Sequence, residues 1–455
     1  MTELPSFVVR GERARLFPVL ADTSKEGRTL SILLACLENV HEFGRALMAG
    51  LGQRVGVRSQ ILTYTEVVLQ KGISDQAFRP DGLIDLRTGS NHWSALVEAK
   101  VGSSDLTADQ IECYLDIAKL NGVDALITIS NQFAPLPSHH PVAVSATARR
   151  KAALFHWSWQ HVLTEATLLL SNEEIVDRDQ RVLLNEMIRF FSHPSAGVRS
   201  FDQMPAPWTQ VVATVQAGGT ISATSPDARE IIGAWHQEVR DLSLILSRWL
   251  ERDVEIKIPR AHSADATTRQ KADLGSLAGE RCLTTSFAVP DAAAPVVVCA
   301  ELQKRSVSVS MKVRAPDDRK STKAKLNWLL RQLQKSAPGG IHVRLFWPGR
   351  AAPTQHPLAS LRDKPDTAAA ERVELSPTSF EVLLVRDLGP KFGQRRNFIT
   401  ELEAAVPDFY EQVGQYLKAW QARAPKVREE KQEASEVSTE ALREEADQVA
   451  LAREE

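Results

Sequence analysis

Long apolar runs are missing from this chain. No segment approaches the roughly 18 consecutive apolar residues that a membrane-spanning helix needs, so no membrane partner is expected. Cysteine is scarce: Cys36, Cys113, Cys282 and Cys299 form no CxxC pair and no Cys/His cluster. That argues against a structural zinc or a disulfide framework and makes a reducing cytoplasm the expected setting. The first residues, MTELPSFVVRGERARLF, carry Glu3 early and arginines within the apolar stretch, unlike a secretory leader. A dominant charge is missing too. Lys and Arg number 55 against 57 Asp and Glu, leaving a net of −2. With no global positive field, any anion-binding surface must be local. Aromatics are modest, at 9 Trp, 4 Tyr and 15 Phe.

Core-forming residues are plentiful. A 43% hydrophobic fraction over 455 residues excludes wholesale disorder. At about 150 residues per domain, the length fits three domains, or two and a tail. Periodicity predicts one long amphipathic helix over 29–50, while 60–71 fits helix or strand. Residues 82–88 and 93–100 read as strands around the turn cluster 89–92, which makes a β-hairpin. A helix over 106–122 stops at Asn121-Gly122, and a buried strand follows at 124–131. Strand-like 141–148 and 153–159 lead to helix over 160–193. The unperiodic, Pro- and Ser-rich 191–208 marks a boundary. Beyond it come a long helix at 228–252, strands at 254–258, 282–289, 295–303, 306–314, 342–347 and 379–387, and helices at 320–335 and 397–420. The expected plan is α/β: a mixed sheet flanked by helices in 1–195, an α+β domain in 209–422 that binds substrate or a partner, and a tail in 423–455. That tail holds ten acidic residues against six basic ones and is read as solvated helix or disorder.

Chemistry concentrates in Pro80-Asp81 and Glu98-Ala99-Lys100. Side chains alternate along a strand, so Glu98 and Lys100 share a face, and the hairpin brings Asp81 beside them. Two carboxylates in a partly open site suit Mg²⁺ or Mn²⁺, which also takes phosphate oxygens. Lys100 beside them could orient or deprotonate water, or offset charge developing at phosphorus. An acidic-x-Lys triplet alone says little, since Glu255-Ile256-Lys257, Asp318-Arg319-Lys320 and Glu429-Glu430-Lys431 also occur. The distinguishing feature is the joint arrangement: Pro-Asp opens one strand, and the triplet closes the next after 16 intervening residues. Asp85 is a rival ligand on the same strand face. His139-His140 reads as a solvent-exposed loop pair, and His156, Trp157, Trp159 and His161 read as packing residues.

This arrangement, over about residues 60–165, resembles the PD-(D/E)XK nuclease superfamily with its restriction-endonuclease-like fold. The resemblance implies that Asp81 and Glu98 hold the metal and that Lys100 serves the nucleophile. Glu66 matches the Glu that many members carry on the helix before the hairpin. Gln110-Ile-Glu-Cys-Tyr114 is similar to the QxxxY element of the exonuclease-type branch, with Gln110 and Tyr114 on one helix face. The implied function is metal-dependent hydrolysis of DNA phosphodiester bonds, in restriction, repair or defence. RNA cleavage and a silent nucleic-acid-binding or sensor module are the alternatives.

A local basic stretch adds a second expectation. Residues 301–350 carry twelve Lys and Arg against three acidic residues. Lys320, Lys323 and Lys325 gather at a helix start, where phosphate could dock. The rival uses of this surface are strand edges guarded by lysine, a protein partner, a homodimer contact or the acidic tail.

Overall fold

The computed structural model describes residues 4–17, 25–72, 79–134, 136–370, 372–421 and 443–444. The described residues up to Ala419 form one compact α/β unit containing two sheets. Among the described residues no helix is long and apolar enough to cross a membrane. The tail expected over 423–455 lies outside the described residues apart from Arg443 and Glu444.

The first half runs β1 (Val8–Arg13), α1 (Lys25–Asn39), α2 (His41–Ala49), β2 (Ser59–Leu69), β3 (Gly82–Thr88), β4 (Asn91–Ala99), α3 (Ala108–Asn121), β5 (Ala125–Ser130), β6 (Ala153–Ser158), α4 (Trp159–Ser171) and α5 (Arg178–Phe191). Its six strands lie in chain order. β1 to β4 are antiparallel, and β4, β5 and β6 are parallel, so the sheet is mixed. α3 is the crossover that parallel neighbours require. Gly89, with φ at +60°, makes the tight turn between β3 and β4.

Alternation decides what each face carries. Ile84, Leu86, Ala95 and Val97 pack with α1, α2, α4 and α5 on one side. Leu83 and Leu96 pack with Ile111, Tyr114 and Leu115 of α3 on the other. Asp81 and Glu98 therefore fall in the α3-facing row, at the end of the hairpin.

The open reading of 60–71 is settled here and other expectations change, the helix over 160–193 dividing into α4 and α5. The helix expected over 29–50 breaks at Val40, whose backbone is extended at φ −110° and ψ 100°. The break lets α2 fold back until Gly44 touches α1 and β2. A Cβ there would stand 2.5 Å from the Leu37 carbonyl oxygen and 2.8 Å from Ile61 Cδ1, so only glycine fits unchanged. The 60–71 segment is a strand. Residues 141–148 are not: Val142 N donates to His140 Nδ1 and Ser145 N to Glu112 Oε1, so these groups make no ladder bonds.

The second half runs α6 (Pro207–Gln216), α7 (Pro226–Leu250), β7 (Glu255–Ile256), α8 (Arg260–Ala264), α9 (Ala266–Gly279), β8 (Cys282–Ala288), β9 (Val296–Glu301), β10 (Ser306–Arg314), α10 (Thr322–Gln332), β11 (Ile341–Phe346), β12 (Thr354–Pro357), α11 (Leu358–Asp363), α12 (Pro365–Ala370), β13 (Ser379–Asp387) and α13 (Arg395–Gln412). Its seven antiparallel strands are ordered β12-β11-β13-β10-β9-β8-β7 around a single large core. Pro407 lies inside α13, as the sequence placed it.

The halves meet at α7, and the seam is polar. Arg248 donates to Thr164 Oγ1 at 2.6 Å, and Arg240 stands 3.1 Å from His161 Nδ1. Asp241 Oδ2 accepts the Phe201 N–H at 2.7 Å. Glu238 is fully buried with neither carboxyl oxygen bonded. Burial, then Asp241 and Glu403, push its pKa well above the ordinary carboxylate range. Burial also lifts Asp241 to about 6 and Glu403 to about 7. A carboxyl with a raised folded pKa keeps a proton that the unfolded chain has released. Its contribution to stability therefore declines as pH rises, here from about pH 4 to about pH 7. Glu238→Gln keeps the shape and removes the titration. In urea unfolding at several pH values it should lose less stability across that window than wild type. Parallel profiles would mean that Glu238 is already ionised in the folded chain.

Candidate active site

Gly82 pairs with Val97, so Asp81 and Glu98 face each other across the end of the β3–β4 ladder. The Ala99 N–H donates to Asp81 Oδ2 at 2.9 Å, which ties the first carboxylate to the residue beside the second. Glu98 is 2% exposed. Its Oε1 accepts from Lys100 Nζ at 2.7 Å and from Gln110 Nε2 at 2.6 Å. Its Oε2 is buried and has no partner.

Lys100 is held on every side. Its backbone N–H donates to Ile129 of β5, and its carbonyl accepts the Trp159 indole N–H, each at 2.8 Å. Its Nζ also reaches Glu26 Oε1 at 3.1 Å and the Ala99 carbonyl at 3.0 Å. Burial works against the charge on Lys100. The Glu98 hydrogen bond and the carboxylates of Glu98, Asp81 and Glu26 outweigh it and hold the pKa above that of an ordinary lysine. Burial, then the Glu98 charge, lifts Asp81 to about 8, against the opposing pull of the Ala99 N–H and Lys100.

α3 supplies the third wall. Its N-cap Thr107 accepts from the Gln110 N–H, which starts the helix where Gln110 can reach Glu98. One turn on, Tyr114 donates to the Arg79 carbonyl at 3.2 Å and so pins the chain entering Pro80-Asp81. Burial, then the charges of Glu98 and Asp81, raise its phenol pKa.

The site thus gathers Asp81, Glu98, Lys100 and Gln110. It does not take in Glu66 as expected. Glu66 lies on strand β2 instead of a helix, at a bulge with φ +54°, and its side chain is exposed. It stands next to Thr65, which pairs with Gly82, yet none of the bonds that join the cluster involves it. The helix before the hairpin is α1, and its first-turn Glu26 makes the contact. Sequence reasoning started that helix at residue 29 and missed Glu26. Treating 60–71 as strand would have directed attention to α1. Asp85 is not a free ligand. It is buried, ion-paired to Arg87 at 2.7 Å and in contact with the His92 imidazole.

The basic stretch is also corrected. Lys325 is buried with its Nζ on the Pro377 carbonyl at 2.9 Å, so it cannot reach a phosphate. Lys323 is ion-paired to Asp366, and Lys320 is exposed. Ser321 already caps the start of α10. His139, expected at the surface, is buried, and so are His156, Trp157 and Trp159.

Among the described residues, no group of three His, Cys, Asp or Glu could by itself hold a metal ion. Two carboxylates suffice for Mg²⁺, which keeps several waters and binds through one or two protein oxygens plus substrate phosphate. The unpartnered Glu98 Oε2 beside Asp81 fits that demand. The same feature costs stability, because two acids are pressed together. In metal-free protein, Asp81→Asn should raise the urea midpoint by the equivalent of about 1 kcal/mol or more. Mg²⁺ or Mn²⁺ should stabilise wild type and leave the variant unmoved; equal stabilisation of both would separate the ion from this site.

Compared with known proteins, no family model matches the chain, and no curated protein matches it.

Proposed function

We propose that this protein is a divalent-metal-dependent nuclease of the PD-(D/E)XK type, with a restriction-endonuclease-like first half, that hydrolyses DNA phosphodiester bonds. The observation that carries the reading is the buried Glu98 carboxylate. Lys100 and Gln110 hold one of its oxygens, the other has no hydrogen-bond partner, and Asp81 lies opposite at the end of the strand pair.

The residues divide the work. Asp81 and Glu98 would hold Mg²⁺ or Mn²⁺, which when bound neutralises charge at phosphorus and makes a coordinated water more acidic. Lys100 stays an ammonium, because its pKa is raised rather than lowered. With its three N–H donors engaged by Glu98, Glu26 and the Ala99 carbonyl, it acts through its charge, offsetting negative charge on the phosphoryl oxygens, and it does not take a proton. Glu26 and Glu98 keep its Nζ at the strand end. Gln110 locks the orientation of Glu98, and Tyr114 holds the turn that carries Asp81.

The test is cleavage of supercoiled, linear and single-stranded DNA and of RNA, each with Mg²⁺, Mn²⁺ or chelator. DNA should be cut only with metal. Asp81→Ala, Glu98→Ala and Lys100→Ala should each lower the rate by about a hundredfold or more. Glu26→Gln and Gln110→Ala act through Lys100 and Glu98, so they should cost less, on the order of tenfold. Glu255→Ala and Lys257→Ala should leave the rate unchanged. Metal binding without cleavage of any substrate would make the protein a binding module, and cleavage confined to RNA would overturn the substrate.

A further inference from the structure

Outside the carboxylate centre, and sharing no residue with it, a cleft of about 230 Å³ opens between the 133–149 loop, α7 and α9. His139, His140, Arg149, His236, Gln237 and Arg269 are among its lining residues. Most polar groups here are already engaged. His236 Nε2 is 2.6 Å from Asp273. His140 Nδ1 accepts the Val142 N–H, and its Nε2 donates to Thr128 Oγ1 at 2.8 Å. Asp265 takes the Thr267 and Thr268 N–H groups at the start of α9, so the helix end itself is not the attraction.

Two buried groups are not satisfied. Arg269 is 7% exposed; its Nε has a long 3.7 Å contact to Asp273, and its Nη1 has no partner. His139 is 9% exposed, with Nε2 2.8 Å from the Ser263 carbonyl and Nδ1 unpartnered. A carbonyl only accepts, so Nε2 carries the proton and Nδ1 presents a lone pair. Burial, together with Arg269 and Arg149, lowers the pKa of this imidazole and so favours its neutral form. Arg149 is exposed at the rim. Unsatisfied buried polar groups are costly in a native fold, and a ligand that completes them repays that cost.

The missing partner must offer negative oxygens to arginine and a proton donor to the imidazole. A phosphate monoester monoanion offers both, as P–O⁻ and P–OH. A nucleic-acid backbone diester and a sulfate ion have no P–OH counterpart at neutral pH. We propose that this cleft binds a phosphate monoester, with Arg269 and Arg149 on its anionic oxygens and His139 Nδ1 accepting from its hydroxyl. The proposal stands independently of the hydrolase reading.

The test is calorimetry on the full chain in chelator near pH 6, where the monoanion is abundant. The probes are orthophosphate, adenosine 5′-monophosphate, sulfate, and one oligonucleotide with and without a 5′-phosphate. Orthophosphate and the monophosphate should bind, with sulfate weaker by about tenfold or more. Arg149→Ala, at the surface, and Arg269→Gln, inside, should each weaken phosphate by about tenfold, with unchanged melting of the unliganded Arg149→Ala chain. Tighter binding of the free nucleotide assigns a small ligand, and tighter binding of the 5′-phosphorylated strand assigns a strand terminus. No heat at millimolar phosphate, sulfate binding as tight as phosphate, wild-type affinity in Arg149→Ala, or equal competition by the unphosphorylated strand would each overturn the proposal.

Discussion

One ammonium surrounded by carboxylates organises this site. Lys100 Nζ is bonded to Glu98 and Glu26 and feels the charge of Asp81. Acids so poorly solvated are tolerated only when a cation and good hydrogen bonds meet them, and removing the partner leaves an uncompensated buried charge. The site therefore has to form where a strand ends. At that point Lys100 can reach Glu26 of α1, on one face of the sheet, while Glu98 is met by Gln110 of α3 on the other. The indole of Trp159 and the Ile129 carbonyl fix the lysine backbone. Three helices and three strands thus meet around Lys100 and its partner Glu98.

The arrangement gathers more acids than cations, so one Glu98 oxygen is unbonded and Asp81, its pKa raised to about 8, is pushed toward its neutral form. Such unresolved electrostatics at a strand end are how a fold keeps a place for a cation and an anionic substrate. The seam between the halves is built on a different principle. There Glu238 and Asp241 are buried beside the half-buried Arg240 and Arg248, and burial moves each acid toward its neutral form. The cleft beside α9 is a third variant, in which arginine and imidazole, not carboxylate, are left short of partners.

The hairpin, its turn and the crossover helix were legible in the chain, because alternation, Gly89 and the Asn121-Gly122 stop are local signals. Asp81, Glu98, Lys100 and Gln110 could be named together for the same reason: strand pairing and one helix face bring them close. Glu66 was misplaced because 60–71 fits two periods, and choosing strand moves the preceding helix back to α1. Lys325 looked like a surface charge because a lysine's burial depends on a carbonyl 52 residues away, which no local pattern reveals. The break at Val40 depends on how closely Gly44 approaches Leu37 and Ile61.

Local order in the polypeptide therefore specified the α/β plan of the first half, the paired acids and the lysine, since each follows from a period of two or of 3.6 residues. Packing between distant segments settled the rest. It chose Glu26 as the partner of Lys100, tied Asp85 to Arg87, withdrew Lys325 from solvent, and left His139 and Arg269 lining a cleft. Those outcomes depend on which groups meet after the layers close, and burial then sets the cost of every charge they carry.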